Sequence, residues 1–221
     1  MTPAQIDAFF SRLAALDPEP KTELEYDTPF QLLVAVVLSA QSTDKGVNRA
    51  TRPLFASYPT PHAIATLGEQ GIADSIRTLG LYRNKAKNVA GLARQLVEQH
   101  GGEVPADRAA LEALPGVGRK TANVVLNVLF QQPTMAVDTH IFRVSNRTGL
   151  APGKNVADVE RRLLQVVPTE YRLHAHHWLI LLGRYTCKAR KPDCPACPVR
   201  DLCAYEAKVQ ENTEGKIHVQ S

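Results

Sequence analysis

Four cysteines stand close together near the C-terminus and nowhere else in the chain, in the pattern Cys187-x6-Cys194-x2-Cys197-x5-Cys203. Pro192, Pro195 and Pro198 thread the same stretch, so it cannot form one continuous helix and must loop. Four thiolates on one short loop are a ligand set. Disulfides would need an oxidising compartment, and the N-terminus MTPAQIDAFF has neither the basic nor the long apolar region of a secretion signal. A tetrahedral zinc site suits four thiolates, although zinc ribbons and knuckles usually bring paired CxxC knuckles and only Cys194 and Cys197 form one. A 4Fe-4S cluster suits them equally, although the spacing departs from the bacterial ferredoxin run. Chemistry alone leaves zinc and cluster level.

A second candidate is the turn Leu114-Pro115-Gly116-Val117-Gly118-Arg119-Lys120 between two helical segments. Gly116 and Gly118 let backbone approach a partner, and the helix that follows, with Arg119, Lys120 and Thr121 in its first turn, points N–H groups and a positive dipole end outward. Such a terminus binds phosphate without reading a base. A plain helix-turn-helix corner is the alternative. Lys120 lies where the helix dipole and Arg119 disfavour an ammonium, the condition that an amine nucleophile needs; a solvated phosphate-binding lysine is the bland reading. Asp138, between Met135-Ala136-Val137 and Thr139-His140-Ile141-Phe142-Arg143, is the carboxylate that could act beside it, or simply a helix N-cap.

The elements that must position these groups read as all-α, with three- and four-residue apolar spacing almost throughout and no alternating strand pattern. Ile6, Phe9, Phe10 and Leu13 follow Pro3, and Pro18 and Pro20 close that helix. Phe30 to Leu38 is apolar nearly all round, as in a helix buried on most sides. Ser42-Thr43-Asp44 caps a helix through Ser57, short pieces follow to Leu79, and Asn84 to His100 is a helix ended by Gly101-Gly102. Asp107 caps a brief segment to Leu114. The helix after the glycine turn runs to Phe130, with Val117, Val124, Val125 and Val128 on one stripe and Lys120, Asn123 and Asn127 on another. Further helices start at Asp138 or Thr139 and at Asn155, and the last holds Trp178 to Leu182. From Glu206 the tail is polar and expected to be mobile.

The chain has 221 residues, 44% hydrophobic and 22% charged, with a net charge of +4. That is the composition of a soluble globular protein kept in the cytosol, and its longest apolar run is far short of a membrane span. The positive charge is unevenly placed. Arg184, Lys188, Arg190 and Lys191 come with no acid between them, whereas the N-terminal segment to Asp27 is acidic. His174, His176 and His177 lack a carboxylate or cysteine at ligand spacing and read as packing or surface residues.

LPGVGRKTANVVLN at Leu114–Asn127, VDTHIFRVSNRTG at Val137–Gly149, LLVAVVLSAQSTDKGVN at Leu32–Asn48, LGLYRNKAKNV at Leu79–Val89 and the cysteine pattern together resemble the endonuclease III family, bifunctional DNA glycosylases of the helix-hairpin-helix superfamily. The resemblance spans Phe30 to Tyr205 and favours one 4Fe-4S cluster over zinc. It implies a six-helix barrel lobe over residues 23–133 and a cluster lobe built from 1–22 and 134–221, with a DNA cleft between them. It also implies that damaged duplex DNA is the partner, that an oxidised pyrimidine is flipped out for excision, that Lys120 is the nucleophile and Asp138 the essential carboxylate, and that an abasic-site lyase step follows. By the same resemblance Gln41 and Leu81 fill the gap in the base stack, and Ser39, Asp44 and His140 line the lesion pocket. Leu114, Gly116, Val117, Gly118, Arg119, Thr121, Arg143, Arg184 and Lys191 are the expected DNA contacts, and the protein is expected to be a monomer.

Three rivals are weaker. The adenine glycosylases of the superfamily lack the lysine and carry an extra C-terminal domain, against which Lys120 and the end at Ser221 speak. A non-enzymatic DNA-binding module has no need of Lys120 with Asp138. An electron carrier has no need of the basic residues around the cysteines.

Overall fold

The computed structural model describes residues 1–208. These are helical, with no strand among them, and divide into two compact units, Thr22–Gln132 and a discontinuous one formed by Met1–Lys21 with the chain from Pro133.

In the discontinuous unit α1 (Pro3–Leu16) starts at Thr2, whose hydroxyl accepts the Gln5 N–H while the Gln5 side chain accepts from the Thr2 backbone, a reciprocal capping box. Ile6, Phe9, Phe10 and Leu13 are its buried face, the same four that the spacing selects. The continuous unit holds α2 (Pro29–Leu38), α3 (Asp44–Ser57), α4 (Pro61–Ser75), α5 (Tyr82–His100), α6 (Arg108–Glu112) and α7 (Arg119–Phe130). Every residue from Phe30 to Leu38 is buried, so α2 is enclosed within its unit, with α3, α5 and α7 against it. Thr28, Thr43, Thr60 and Asp107 cap α2, α3, α4 and α6 with side-chain oxygens. α4 breaks at Gly68, whose φ of 73° lies outside helical values. α5 starts two residues before Asn84, because Leu81 turns the chain in a left-handed conformation and no asparagine cap is used.

α7 corrects the stripe assignment. Its buried face is Ala122, Val125 and Leu126 together with Asn123 and Asn127, whereas Val124 and Val128 are half-buried. The two asparagines therefore face the interior, and Asn127 donates to the Gln132 carbonyl at 3.1 Å, closing the reversal after the helix.

The chain then supplies α8 (Thr139–Thr148), α9 (Val156–Val166) and α10 (Arg172–Leu181), the last passing into a π-turn at Leu182–Thr186 directly before Cys187. Their buried residues join those of α1 in a second core with Trp178, whose indole donates to the Asp17 carbonyl at 2.8 Å. Glu206–Lys208 form a short 3-10 turn where the polar tail was expected to begin, and the rest of that tail lies outside the described residues.

The histidines of α10 pack as expected: His174 lies against Trp178 and His176 against His177. Burial lowers the His177 pKa to about 4, with His174 adding to the fall and Asp17 opposing it. An unfolded histidine binds its proton near pH 6.5. Between that pH and 4 the unfolded chain therefore binds more protons than the folded one, and stability falls as pH falls, by about 3 kcal/mol at pH 4. Urea midpoints measured against pH check this; His177→Gln is expected to flatten the acid limb.

Candidate active site and cluster loop

The glycine turn opens α7 differently from most helices of the protein. Gly118 is the N-cap and offers no side-chain oxygen, so the first turn at Arg119, Lys120 and Thr121 has no cap of the kind that threonine, aspartate or asparagine gives to seven other α-helices. Leu114 and Val117 are buried, and the Val117 N–H donates to the Leu114 carbonyl at 3.1 Å. What these two positions can offer a partner is backbone. Gly116 and Gly118 are exposed. Gly116 has φ 77°, and a Cβ there would come 2.8 Å from the Asn88 Cβ. Gly116→Ala is accordingly expected to destabilise the protein by about 1–3 kcal/mol in urea unfolding. At Gly118 an added Cβ meets nothing within 4 Å, so the corresponding change leaves stability intact.

Lys120 is the second residue of α7 and is exposed, with no hydrogen-bond or ion-pair partner among the described residues. Asp138 is half-buried and caps α8: its Oδ1 accepts the N–H groups of His140 at 2.8 Å and Ile141 at 2.9 Å. Both bonds use Oδ1, which leaves Oδ2 outside the cap. Lys120 belongs to the continuous unit and Asp138 to the other.

Gln41 and Leu81 share an unusual backbone. Non-glycine residues with positive φ among the described residues are Gln41 (54°), Leu81 (57°), Gln131 (51°) and Lys191 (51°). Leu81 is 58% exposed, and so is no core leucine; Gln41 lies exposed in the α2–α3 loop rather than inside a helix end. Such strain persists only where the surroundings enforce it. In the same region Ser39 donates to the Val36 carbonyl at 2.8 Å and so finishes α2, and Asp44 is the half-buried first residue of α3.

In the other unit Cys187, Cys194, Cys197 and Cys203 all line one recess, with Thr148, Pro192, Arg200 and Tyr205 among its other walls. None of the four is in a disulfide. No three cysteine, histidine or carboxylate side chains among the described residues converge as ligands of a single metal ion would. Four thiol side chains around one recess are a donor set that could hold a metal centre. Burial raises the Cys197 thiol above its ordinary pKa, the Val199 N–H opposes the rise, and Cys203, Cys187 and Cys194 add to it. Four clustered thiolates need a cationic metal centre to offset them.

Arg143, one of the expected DNA contacts, also makes several bonds within the protein. Its guanidinium donates to the carbonyls of Cys187 at 3.0 Å, Gly183 at 2.8 Å and Thr139 at 3.4 Å, and Nη2 lies 3.2 Å from His140 Nδ1. That geometry makes Arg143 a brace between α8 and the turn that delivers Cys187. His140, half-buried, is held by the same contact. Arg184 is half-buried in the π-turn, whereas Lys188, Arg190 and Lys191 are exposed on the loop between Cys187 and Cys194.

Residues 34–169 match the family described as "HhH-GPD superfamily base excision DNA repair protein". Endonuclease III of Escherichia coli K12 is 60% identical over 199 residues, covering 90% of this chain and 94% of that protein, and endonuclease III of Haemophilus influenzae is 59% identical over 200, covering 90% and 95%. The chain belongs to the endonuclease III family. Its enzyme class is therefore that of a base excision DNA glycosylase with abasic-site lyase activity. Residues 187–203 match the "Iron-sulfur binding domain of endonuclease III", and the cofactor is a 4Fe-4S cluster. A solved structure titled as a trapped endonuclease III–DNA covalent intermediate shares 44% identity and a TM-score of 0.87, covering 96% of this chain and 99% of that one. No helix among the described residues is long and apolar enough to cross a membrane.

For an endonuclease III family member, three supporting residues escaped the sequence reading. Arg147, one turn beyond Arg143, donates to the carbonyls of Lys188 at 2.6 Å and Ala189 at 2.9 Å and to Cys187 Sγ at 3.8 Å, with its guanidinium over the Tyr205 ring. Arg12 of α1 reaches the Pro198 carbonyl at 3.2 Å and pairs with Asp201, tying down the Cys197–Cys203 segment. Lys85 is buried on α5 and donates to Ser42 Oγ at 2.7 Å. Only Lys85 left a local signal: it falls in phase with Val89, Leu92 and Leu96, a lysine on an apolar stripe.

Proposed function

We propose that this protein excises oxidised pyrimidines from duplex DNA and then cuts the strand, with Lys120 as nucleophile and Asp138 as the carboxylate that serves it. The observation that carries this reading is an exposed lysine without a partner in the uncapped first turn that follows the Leu114–Gly118 hairpin. The lesion leaves the stack, because its glycosidic carbon is out of reach inside it, and Gln41 and Leu81 fill the space behind it. The Lys120 amine attacks C1′, the C1′–N bond breaks, and the damaged base leaves with the bonding pair and takes up a proton. Asp138, through Oδ2, stabilises the positive charge that develops on the sugar or accepts the proton that the amine loses. Ring opening gives an imine between Lys120 and C1′. Loss of a C2′ proton then expels the 3′ phosphate by β-elimination, and water releases the enzyme.

The N–H groups at Gly118 to Thr121 with Arg119, and Arg184 with Lys191, hold phosphates on either side. Cys187, Cys194, Cys197 and Cys203 hold the cluster, which supplies structure to the basic loop rather than a chemical step. Ser39, Asp44 and His140 line the lesion pocket. The protein acts as a monomer, in the compartment that holds the DNA. The test is incubation with a duplex carrying an oxidised thymine in the presence of borohydride, which reduces the imine to a stable amine. A covalent protein–DNA complex is expected, and its absence with folded, iron-loaded protein would overturn the reading.

A further inference from the structure

Lys85 is the one buried lysine among the described residues, at 5% exposure, and Ser42 is its hydrogen-bond partner. An ammonium held inside a protein by a single hydroxyl is poorly compensated for the water it has lost, and burial lowers its pKa accordingly. An apolar chain of that length would serve packing better, so the position calls for a role that packing does not supply. Its two donors provide one. The Lys85 backbone N–H donates to the Leu81 carbonyl at 3.1 Å, closing the first turn of α5 on the left-handed Leu81. The Lys85 Nζ donates to the hydroxyl of Ser42, the residue next to the left-handed Gln41. The backbone bond is one any residue at this position would make; what lysine adds is the Nζ bond, which links the helix that starts on Leu81 to the loop that holds Gln41, forty residues away in sequence.

We propose that Lys85 is a positioning residue that couples the Gln41 and Leu81 tips, so that they enter the base stack as one unit. The inference rests on the gap-filling role proposed above for those two residues, and its test separates the two ideas. Single-turnover base release from a paired duplex carrying an oxidised thymine is measured, with the full cluster-loaded protein, for Gln41→Ala, Leu81→Ala and the pair. The same three changes are then measured in a Lys85→Met background. With Lys85 in place either single change is expected to lose most of what the pair loses, since each tip depends on the other. In the Lys85→Met background the two effects should multiply independently, and Lys85→Met alone should slow release about tenfold, within the usual range for coupled neighbours.

Non-additivity that persists unchanged in the Lys85→Met background overturns the coupling while leaving gap-filling intact. Single changes at Gln41 and Leu81 that do not slow release remove gap-filling, and the coupling with it. Ser42→Ala deletes only the acceptor, at a half-buried loop position, and should abolish the non-additivity in the same way; it carries the test if Lys85→Met does not fold. A mere contribution to stability by Lys85 would shift the unfolding midpoint in every background and leave the non-additivity untouched.

Discussion

Lys120→Ala is expected to lower base release from an oxidised-thymine duplex by about 10³-fold or more, roughly 4 kcal/mol of barrier, and to end borohydride trapping altogether. The protein should stay folded. Lys120 is exposed in the first turn of α7, touches no partner among the described residues, and alanine is the best helix former, so the unfolding midpoint should move by no more than about 0.5 kcal/mol. DNA affinity should fall only modestly, by the loss of one cation near the backbone. Lys120→Arg decides between nucleophile and phosphate-binding cation. Arginine keeps the positive charge at this position but cannot lose a proton to attack carbon. If the amine is the nucleophile, Lys120→Arg binds DNA like the parent and traps nothing. Retention of base release by Lys120→Arg would leave the lysine as a phosphate contact and require another nucleophile. Both variants are checked by single-turnover gel assays beside equilibrium binding to an undamaged duplex.

The elements that carry this chemistry were legible where the signal is local. Ile6, Phe9, Phe10 and Leu13 announce the buried face of α1, and the unbroken apolar run Phe30 to Leu38 announces a helix enclosed on all sides. Thr43, Asp107 and Asp138 cap where their side-chain chemistry says they should. On α7 the stripe of Lys120, Asn123 and Asn127 does not hold together, since Lys120 is exposed and both asparagines are buried. Their burial depends on what packs against that face, and for Asn127 on a carbonyl five residues beyond it. The left-handed backbone at Gln41 and Leu81 was equally invisible, since neither is glycine.

Around the cysteines the pattern was plain but its supports were not. Nothing near Arg143 or Arg147 in sequence says that they reach the carbonyls of Gly183 and Cys187 or of Lys188 and Ala189. A basic residue beside a DNA-binding motif reads as a DNA contact, and only the fold shows the bonds it makes to backbone as well. The preference for a cluster over zinc likewise came from resemblance, and the match of residues 187–203 to the iron-sulfur binding domain of endonuclease III supports it; the structure adds that the four cysteines line one recess.

Asp138 carries two readings that a single substitution would confound, because the same carboxylate caps α8 and is proposed to serve the reaction. Asparagine and alanine pull them apart. Asparagine caps helices about as well as aspartate, and its side-chain oxygen can take the His140 and Ile141 N–H groups as Oδ1 does now. Asp138→Asn should therefore keep its unfolding midpoint while losing base release by about 10²-fold, near 2.7 kcal/mol of barrier, since an uncharged amide neither steadies a cationic sugar nor accepts a proton. Asp138→Ala should lose activity to a similar extent and about 1 kcal/mol of stability besides, the usual effect of deleting a cap. The difference in stability between the two variants reports the cap, and the activity they lose in common reports the carboxylate. If Asp138→Asn instead works like the parent and only Asp138→Ala fails, the residue is a cap alone, and the proton and charge handling assigned to it must come from another group.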